Sequence, residues 1–123
     1  MIKIRAWRGG ELFEGLTLEE MLNIVSQTGH HLNTPTPVIF EQFIGVYDKY
    51  GVEIYTGDII RDHAGIGIVE YVDHRAAFRV NYLNGVCKWF IDYVLKGERE
   101  SIKVIGNVHQ NKELLEQEVC ELD

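Results

Sequence analysis

The sequence predicts a mainly β protein with small helices, an α+β fold built as a small, partly open β-barrel or a sandwich. Three observations predict it. Short runs rich in β-branched and aromatic residues recur along the chain, glycine-containing turns separate them, and helical periodicity is confined to one segment near each end. Because the strands are closely spaced, a barrel or sandwich is favoured over a fold with helical crossovers.

The clearest strand pattern lies in the stretch from Gln42 to Asp62. Its first two alternating apolar runs are separated by Asp48-Lys49-Tyr50-Gly51, a loop of hairpin length. A type I turn followed by a residue with positive φ suits this loop, and Gly51 takes positive φ without a steric penalty. A second reversal is predicted at Thr56-Gly57-Asp58, where the Asp58 side chain can accept hydrogen bonds from nearby backbone N–H groups. We expect this stretch to be the nucleus of the sheet.

The N-terminal part of the chain predicts a strand followed by a helix. Met1 to Trp7 alternates apolar and basic residues as a half-buried strand does, and Gly9-Gly10 ends it. Thr17-Leu18-Glu19-Glu20 has the form of a capping box, in which hydroxyl and carboxylate satisfy backbone N–H groups reciprocally. Apolar residues at helical spacing follow: Leu18, Met21, Leu22 and Val25. The prolines between His30 and Pro37 then predict a connector.

The rest of the chain predicts further strands and a terminal helix. Asn84-Gly85 between two apolar runs is a strong hairpin signal. Asn111 can cap a C-terminal helix whose apolar stripe is narrow enough to pack on its own chain or on a neighbouring subunit. The predicted strands are Ile66 to Val72, Ala77 to Tyr82, Val86 to Ile91 and Ile102 to Val108.

Length, charge and cysteine usage bound the class of protein. A chain of 123 residues fits a single domain, 1–123, with one hydrophobic core. The net charge of -7 argues against a general nucleic-acid binder, since phosphate neutralisation needs a basic face. Two cysteines without CxxC spacing or a secretory leader predict a reduced, cytoplasmic setting. No run reaches the roughly 18–20 apolar residues that a membrane span requires, so no membrane is expected.

Three blocks of the chain resemble the YopX-like proteins, which phages and prophages carry. They are IRAW at Ile4 to Trp7, the signature from Gln42 to Ile60, and VIGNVHQNKELL from Val104 to Leu115. They appear in the expected order and cover about a third of the chain, although Lys112 stands where a proline is often found at the first helical position. The resemblance implies a mainly β fold with small helices, a phage or prophage origin and no established catalytic residues.

The aspartates and glycines that could serve catalysis or ligand binding are better explained as turn residues. The carboxylates of Asp48, Asp58 and Asp62 could together bind a cation or serve acid–base chemistry. Aspartates in turns, however, more simply accept hydrogen bonds from backbone N–H groups. Gly65-Ile66-Gly67 lacks the rest of a phosphate-binding loop and predicts a hairpin bend. We assign no catalytic, cofactor-binding or metal-ligating residue, and we predict that the protein is not an enzyme and needs no cofactor.

The histidines and cysteines show no metal-site spacing. Cys87 in a strand pattern and Cys120 in the terminal helix are each predicted to be small buried residues. The histidines are His30, His31, His63, His74 and His109.

Aromatic and acidic residues suggest two classes of function. The aromatics could stack on single-stranded nucleic acid, but without a basic surround a core or a subunit interface is the better use. The aromatic residues in question are Trp7, Tyr47, Tyr50, Tyr55, Tyr71, Tyr82, Trp89, Phe90 and Tyr93. The first hypothesis is therefore a non-enzymatic phage accessory protein that forms a homo-oligomer and has a host or phage protein partner. The alternative is a small nucleic-acid-associated barrel module, or an acidic DNA mimic presented by the residues from Glu113 to Asp123.

Overall fold

The computed structural model describes residues 3–15, 17, 19–21, 23, 38–92 and 101–116. These residues form nine strands, and the chain divides into two compact units, Met1–Phe43 and Ile44–Asp123. Residues 19–21, 23, 90–92 and 112–116 are helical, and Asp73–Arg75 forms a single 3-10 turn. The strands are β1 (Ile4–Arg8), β2 (Glu11–Phe13), β3 (Val38–Tyr47), β4 (Glu53–Tyr55), β5 (Asp58–Asp62), β6 (Gly65–Val72), β7 (Ala77–Tyr82), β8 (Cys87–Trp89) and β9 (Lys103–Asn107). The predicted class, mainly β with small helices at both ends, is confirmed. The single domain 1–123 stays a prediction.

The first unit contains an antiparallel arrangement of β2, β1 and the beginning of β3. Gly9 and Gly10 have φ of 58° and 82° and form the tight turn between β1 and β2. The strand predicted from Met1 to Trp7 overlaps β1 at Ile4 to Trp7. β2 was not predicted at all, because its three residues carry no period of their own.

The capping box predicted at Thr17 is formed. The Glu20 N–H donates to the Thr17 hydroxyl at 3.2 Å, and the Thr17 N–H donates to the Glu20 carboxylate at 3.3 Å. Both donors lie in the first turn of a helix, where the backbone has no partner of its own. The connector predicted from His30 to Pro37 lies outside the described residues.

The second unit holds a five-stranded sheet with the order β8-β7-β6-β5-β9. β3 continues into this unit, where β4 lies beside it. β9 pairs antiparallel with β5, and the register shifts between Ile59 and Ile60 at a bulge. One cluster of buried side chains forms the core of the unit: Val46, Ile54, Ile60, Val69, Val80, Tyr82, Phe90 and Ile102. These residues come from the five strands β3 to β7, from the helical residues 90–92 and from the position before β9, so the core draws on segments throughout the unit.

Two hairpin loops in this unit share one hydrogen-bond pattern. In the loop that joins β3 and β4, the Asp48 N–H donates to Val52 O and the Gly51 N–H donates to Asp48 O. The loop between β7 and β8 repeats both bonds at positions 82 to 86. Gly51 and Gly85 have φ of 80° and 91°, which fits a type I turn followed by a left-handed residue. The prediction that Gly51 fixes the first hairpin is confirmed.

The strand predicted from Val86 to Ile91 is partly wrong. β8 ends at Trp89, and residues 90–92 are helical. Phe90 is nevertheless buried in the core. A short apolar run is ambiguous between strand and helix, and burial of Phe90 is compatible with either. Across the residues that the model describes, no helix combines the length and hydropathy needed to cross a membrane.

Candidate functional site

Asp48 holds the loop between β3 and β4 in place. The residue is 6% exposed. Oδ1 accepts from the backbone N–H groups of Tyr50 and Val52, at 2.8 and 2.9 Å, and Oδ2 accepts from the Val104 N–H at 3.0 Å. The first two bonds close the turn, and the third ties it to β9. The carboxylate is therefore committed to architecture on both oxygens.

Asp58 and Asp62 each serve a different turn. Asp58 is buried and accepts from the Tyr55 N–H at 2.8 Å, across the reversal centred on Gly57, whose φ is 88°. Asp62 accepts from the Ala64 N–H at 2.7 Å through one oxygen and from the Tyr82 hydroxyl through the other. The bonds to Tyr55 and Ala64 are the backbone contacts that aspartates make in turns.

The other described residues whose side chains could bind a metal or take part in a reaction do not lie close together. Within those positions no three histidine, cysteine, aspartate or glutamate side chains come together in a way that could hold a metal ion. Cys87 is exposed, so the prediction that it is buried is wrong. Its side chain lies beside Asn81, and no residue of β8 is fully buried. Cys120, His30 and His31 lie outside the described residues.

The Gly65-Ile66-Gly67 segment belongs to the hairpin of β5 and β6. Gly65 has φ of 120° and pairs with Asp62. A Cβ at Gly67 would lie 2.4 Å from Val80 Cγ1, so the second glycine is required by the close packing of β6 on β7. The structure has a hairpin bend next to this segment, at residues 63–64, while Gly65, Ile66 and Gly67 themselves belong to β6.

The described aromatic residues divide between buried and exposed positions. Trp7, Tyr55, Tyr82 and Phe90 are buried, and Tyr47, Tyr50 and Tyr71 are exposed. Tyr93 lies outside the described residues. The larger share of these rings therefore serves packing, and the exposed tyrosines are the ones available to a partner.

Three cross-strand neighbours on β6, β7 and β8 place a cation over the ring of Trp89. Arg79 pairs with Glu70 on one side and with Trp89 on the other. Its guanidinium lies 5.8 Å from the Trp89 ring centroid, and its Nε donates to the Glu70 carboxylate. That hydrogen bond raises the pKa of Arg79 above its ordinary value. Trp89 thus has a cation as its partner in the fold.

The surface around Tyr50 collects positive charge. The Tyr50 side chain is 67% exposed. Lys49 Nζ lies 5.2 Å from the centroid of its ring, and Lys103 Nζ, from β9, lies 5.7 Å from it. Tyr47 and Val52, at the two ends of the same loop, are also exposed. We call these five residues the Tyr50 surface. The expectation that the aromatics lack basic neighbours is wrong here. Lys103 lies near the ring because the loop is hydrogen-bonded to the backbone of Ile102 and Val104, which are distant in sequence.

An open apolar pocket lies elsewhere in the second unit. Its volume is about 240 Å³. Ile91, which is 58% exposed, stands at its wall. The Tyr71 and Phe78 rings contact each other with centroids 5.2 Å apart, so the exposed Tyr71 ring adjoins the Phe78 side chain of the pocket wall. The lining side chains are Ile44, Val46, Ala77, Phe78, Phe90 and Ile91.

The first unit contains a buried polar cluster that the sequence did not reveal. Glu41 is 5% exposed, and its Oε1 accepts from Arg5 Nε at 2.8 Å and from Trp7 Nε1 at 2.7 Å. Arg5 and Glu41 are direct partners in the pairing of β1 with β3. Arg5 and Trp7 are two residues apart and so share a strand face, which was a usable signal, but nothing local indicates Glu41 as their partner.

The turn after β9 departs from the predicted helix cap. Asn111 directly precedes the helical residues 112–116, as predicted. Its Oδ1, however, accepts from the Asn107 N–H at 3.1 Å, and the Leu114 N–H donates to the backbone oxygen of Asn111 instead. A Cβ at Gly106 would lie 2.5 Å from that Oδ1. The Asn111 side chain therefore closes the turn against Gly106 and does not cap the helix.

The fold and these surfaces define a small, mainly β protein with buried turn carboxylates and two exposed candidate binding surfaces. The crystal structure of protein EF1440 from Enterococcus faecalis is similar in fold, with a TM-score of 0.54 and 24% sequence identity over 94% of this chain and 98% of that chain. No curated protein matches the sequence. The family model described as YopX protein matches residues 10–116, and the chain belongs to this family.

Proposed function

We propose that the protein is a non-enzymatic accessory protein of a phage or prophage, which acts in the cytoplasm and associates with further copies of itself. The observation that carries the proposal is the open apolar pocket beside Ile91. Exposed apolar patches on proteins mark interaction sites more often than isolated exposed residues do.

The size and lining of the pocket fit a side chain of a second copy. Pockets for drug-sized ligands enclose about 300–1,000 Å³ and carry a few convergent polar groups. This pocket encloses about 240 Å³ and is lined by aliphatic and aromatic side chains. A cavity of this kind suits the insertion of one or two apolar side chains at the centre of an interface, where binding energy concentrates.

The use of the aspartates supports a non-enzymatic role. Asp48, Asp58 and Asp62 accept hydrogen bonds from backbone N–H groups of their own turns. A general base or a cation ligand needs lone pairs directed at a substrate or an ion, whereas these oxygens are directed at the backbone.

The experiment is a measurement of mass in solution by sedimentation velocity and light scattering. We expect the wild-type chain, whose monomer mass is 14.2 kDa, to form an oligomer at micromolar concentration. Ile91→Asp places a charge at the pocket wall and should shift the population to monomer. Val86→Asp is the matched control, since Val86 is also exposed but lies in the β7–β8 loop and does not line the pocket.

Two results would count against the proposal. One is a wild-type protein that stays monomeric at 100 µM or so, a concentration at which interfaces of even modest affinity form. The other is an oligomer that Ile91→Asp leaves intact while its circular dichroism spectrum matches that of the wild type, which would place the interface elsewhere.

A further inference from the structure

We infer that the Tyr50 surface binds an acidic peptide segment of a partner protein. This surface comprises Tyr47, Lys49, Tyr50, Val52 and Lys103, and it is separate from the residues that line the apolar pocket. The inference therefore does not depend on self-association.

The first reason is a local accumulation of charge against the overall balance of the chain. The protein carries a net charge of -7, yet two ammonium groups lie within 5.7 Å of one tyrosine ring. Within the described part of the chain, neither Lys49 nor Lys103 forms an ion pair. Two like charges near one ring attract anions, and each ammonium group, like the Tyr50 hydroxyl, can donate a hydrogen bond to a carboxylate.

The second reason is that the fold holds this arrangement before any partner arrives. The Lys49 N–H donates to Ile102 O at 3.0 Å, and the Val104 N–H donates to Asp48 Oδ2 at 3.0 Å. These two bonds fix the backbone positions of both lysines relative to each other. Binding to a preorganised surface costs less conformational entropy than binding to a loop that must first order.

The third reason is the apolar component of the surface, which selects a peptide over a nucleic acid. Tyr47 and Val52, at the two ends of the loop that carries Lys49, are exposed and offer contacts for apolar side chains between the acidic ones. Tyrosine is enriched at the centres of protein interfaces. Binding to single strands relies on a basic groove that neutralises several phosphates, and two lysines on an acidic chain supply little of that energy.

The test is a titration of the full-length, ¹⁵N-labelled protein followed through its backbone amide spectrum. The probe is a decapeptide in which glutamate alternates with leucine and serine, and its comparison is the same peptide with glutamine for glutamate. We expect the acidic peptide to shift the amides of residues 49–52 and 102–104, and the glutamine peptide to bind about tenfold more weakly or worse.

Charge-reversal variants assign the binding to the surface. Lys49→Glu combined with Lys103→Glu should lower the affinity for the acidic peptide by at least about tenfold. Lys112→Glu is the matched control, because Lys112 is also an exposed lysine of the second unit, and it should change the affinity by less than about twofold. Tyr50→Ala should reduce binding without altering amide shifts in the core, since its ring is exposed.

Three outcomes would overturn the inference. The acidic peptide could leave the amides of 49–52 and 102–104 unshifted at millimolar concentration. Lys112→Glu could lower the affinity for the acidic peptide as much as the double charge reversal does, which would indicate a nonspecific effect of charge. An oligonucleotide of ten thymidines could shift the same amides at lower concentration than the peptide, which would assign the surface to nucleic acid. None of these results bears on the light-scattering test of self-association.

Discussion

Removal of the Asp48 carboxylate should destabilise the second unit by several kcal/mol. Asp48→Ala leaves the N–H groups of Tyr50, Val52 and Val104 without the acceptor they now have. Hydrogen bonds to charged groups contribute about 1.5–3 kcal/mol each, but the donors of the exposed Tyr50 and Val52 can turn to water. With about 1 kcal/mol for each of these two and about 2 kcal/mol for the half-buried Val104, the expected loss is about 4 kcal/mol.

Equilibrium urea unfolding followed by circular dichroism measures this loss. Asp48→Asn should fall between the wild type and Asp48→Ala, because it keeps an acceptor oxygen for the turn but presents a donor to Val104. Asp73→Ala is the control, since Asp73 is an exposed aspartate in the 3-10 turn and should cost less than about 0.5 kcal/mol. The reasoning would be refuted if Asp48→Ala lost less than about 1 kcal/mol, a typical value for a single neutral hydrogen bond.

Two further substitutions test the interactions within each unit, one in the first and one in the second. Glu41→Ala should destabilise the first unit by about 3 kcal/mol, since it removes the buried carboxylate that accepts from Arg5. Urea unfolding read by Trp7 fluorescence in a Trp89→Phe background measures it, and an effect no larger than that of Glu41→Gln would contradict a role for the charge. Gly67→Ala should cost about 1–3 kcal/mol, because its Cβ would overlap a Val80 methyl. Thermal unfolding checks it, and an unchanged midpoint would show that β7 yields freely.

The local part of the fold could be predicted because it depends on interactions between residues close in sequence. The turns at Gly51 and Gly57 require positive φ, which glycine adopts without strain, and the structure has both. Asp58 accepts from the backbone three residues before it, as its position next to a turn glycine predicted. The capping box at Thr17 depends on a spacing of three residues that is visible in the sequence.

The candidate surfaces could not be predicted in the same way. Lys103 meets Tyr50 across a separation of more than fifty residues, and the contact depends on the hydrogen bonds that hold the loop of residues 48–51 against Ile102 and Val104. The sequence gives no local rule for that contact, since many strand orders satisfy the same alternation of apolar and polar residues. The pocket beside Ile91 required in addition that the chain leave the strand pattern after Trp89.

The sequence by itself determined most of the strands, the glycine turns, the helix cap at Thr17 and the family, because φ preferences and short-range hydrogen bonds act within a few residues. Only the tertiary structure decided that Glu41 accepts from Arg5, that Cys87 is exposed and that two lysines share the ring of Tyr50. These contacts follow from the meeting of segments that are distant in sequence, and the burial that holds such segments together belongs to each assembled unit rather than to any one segment.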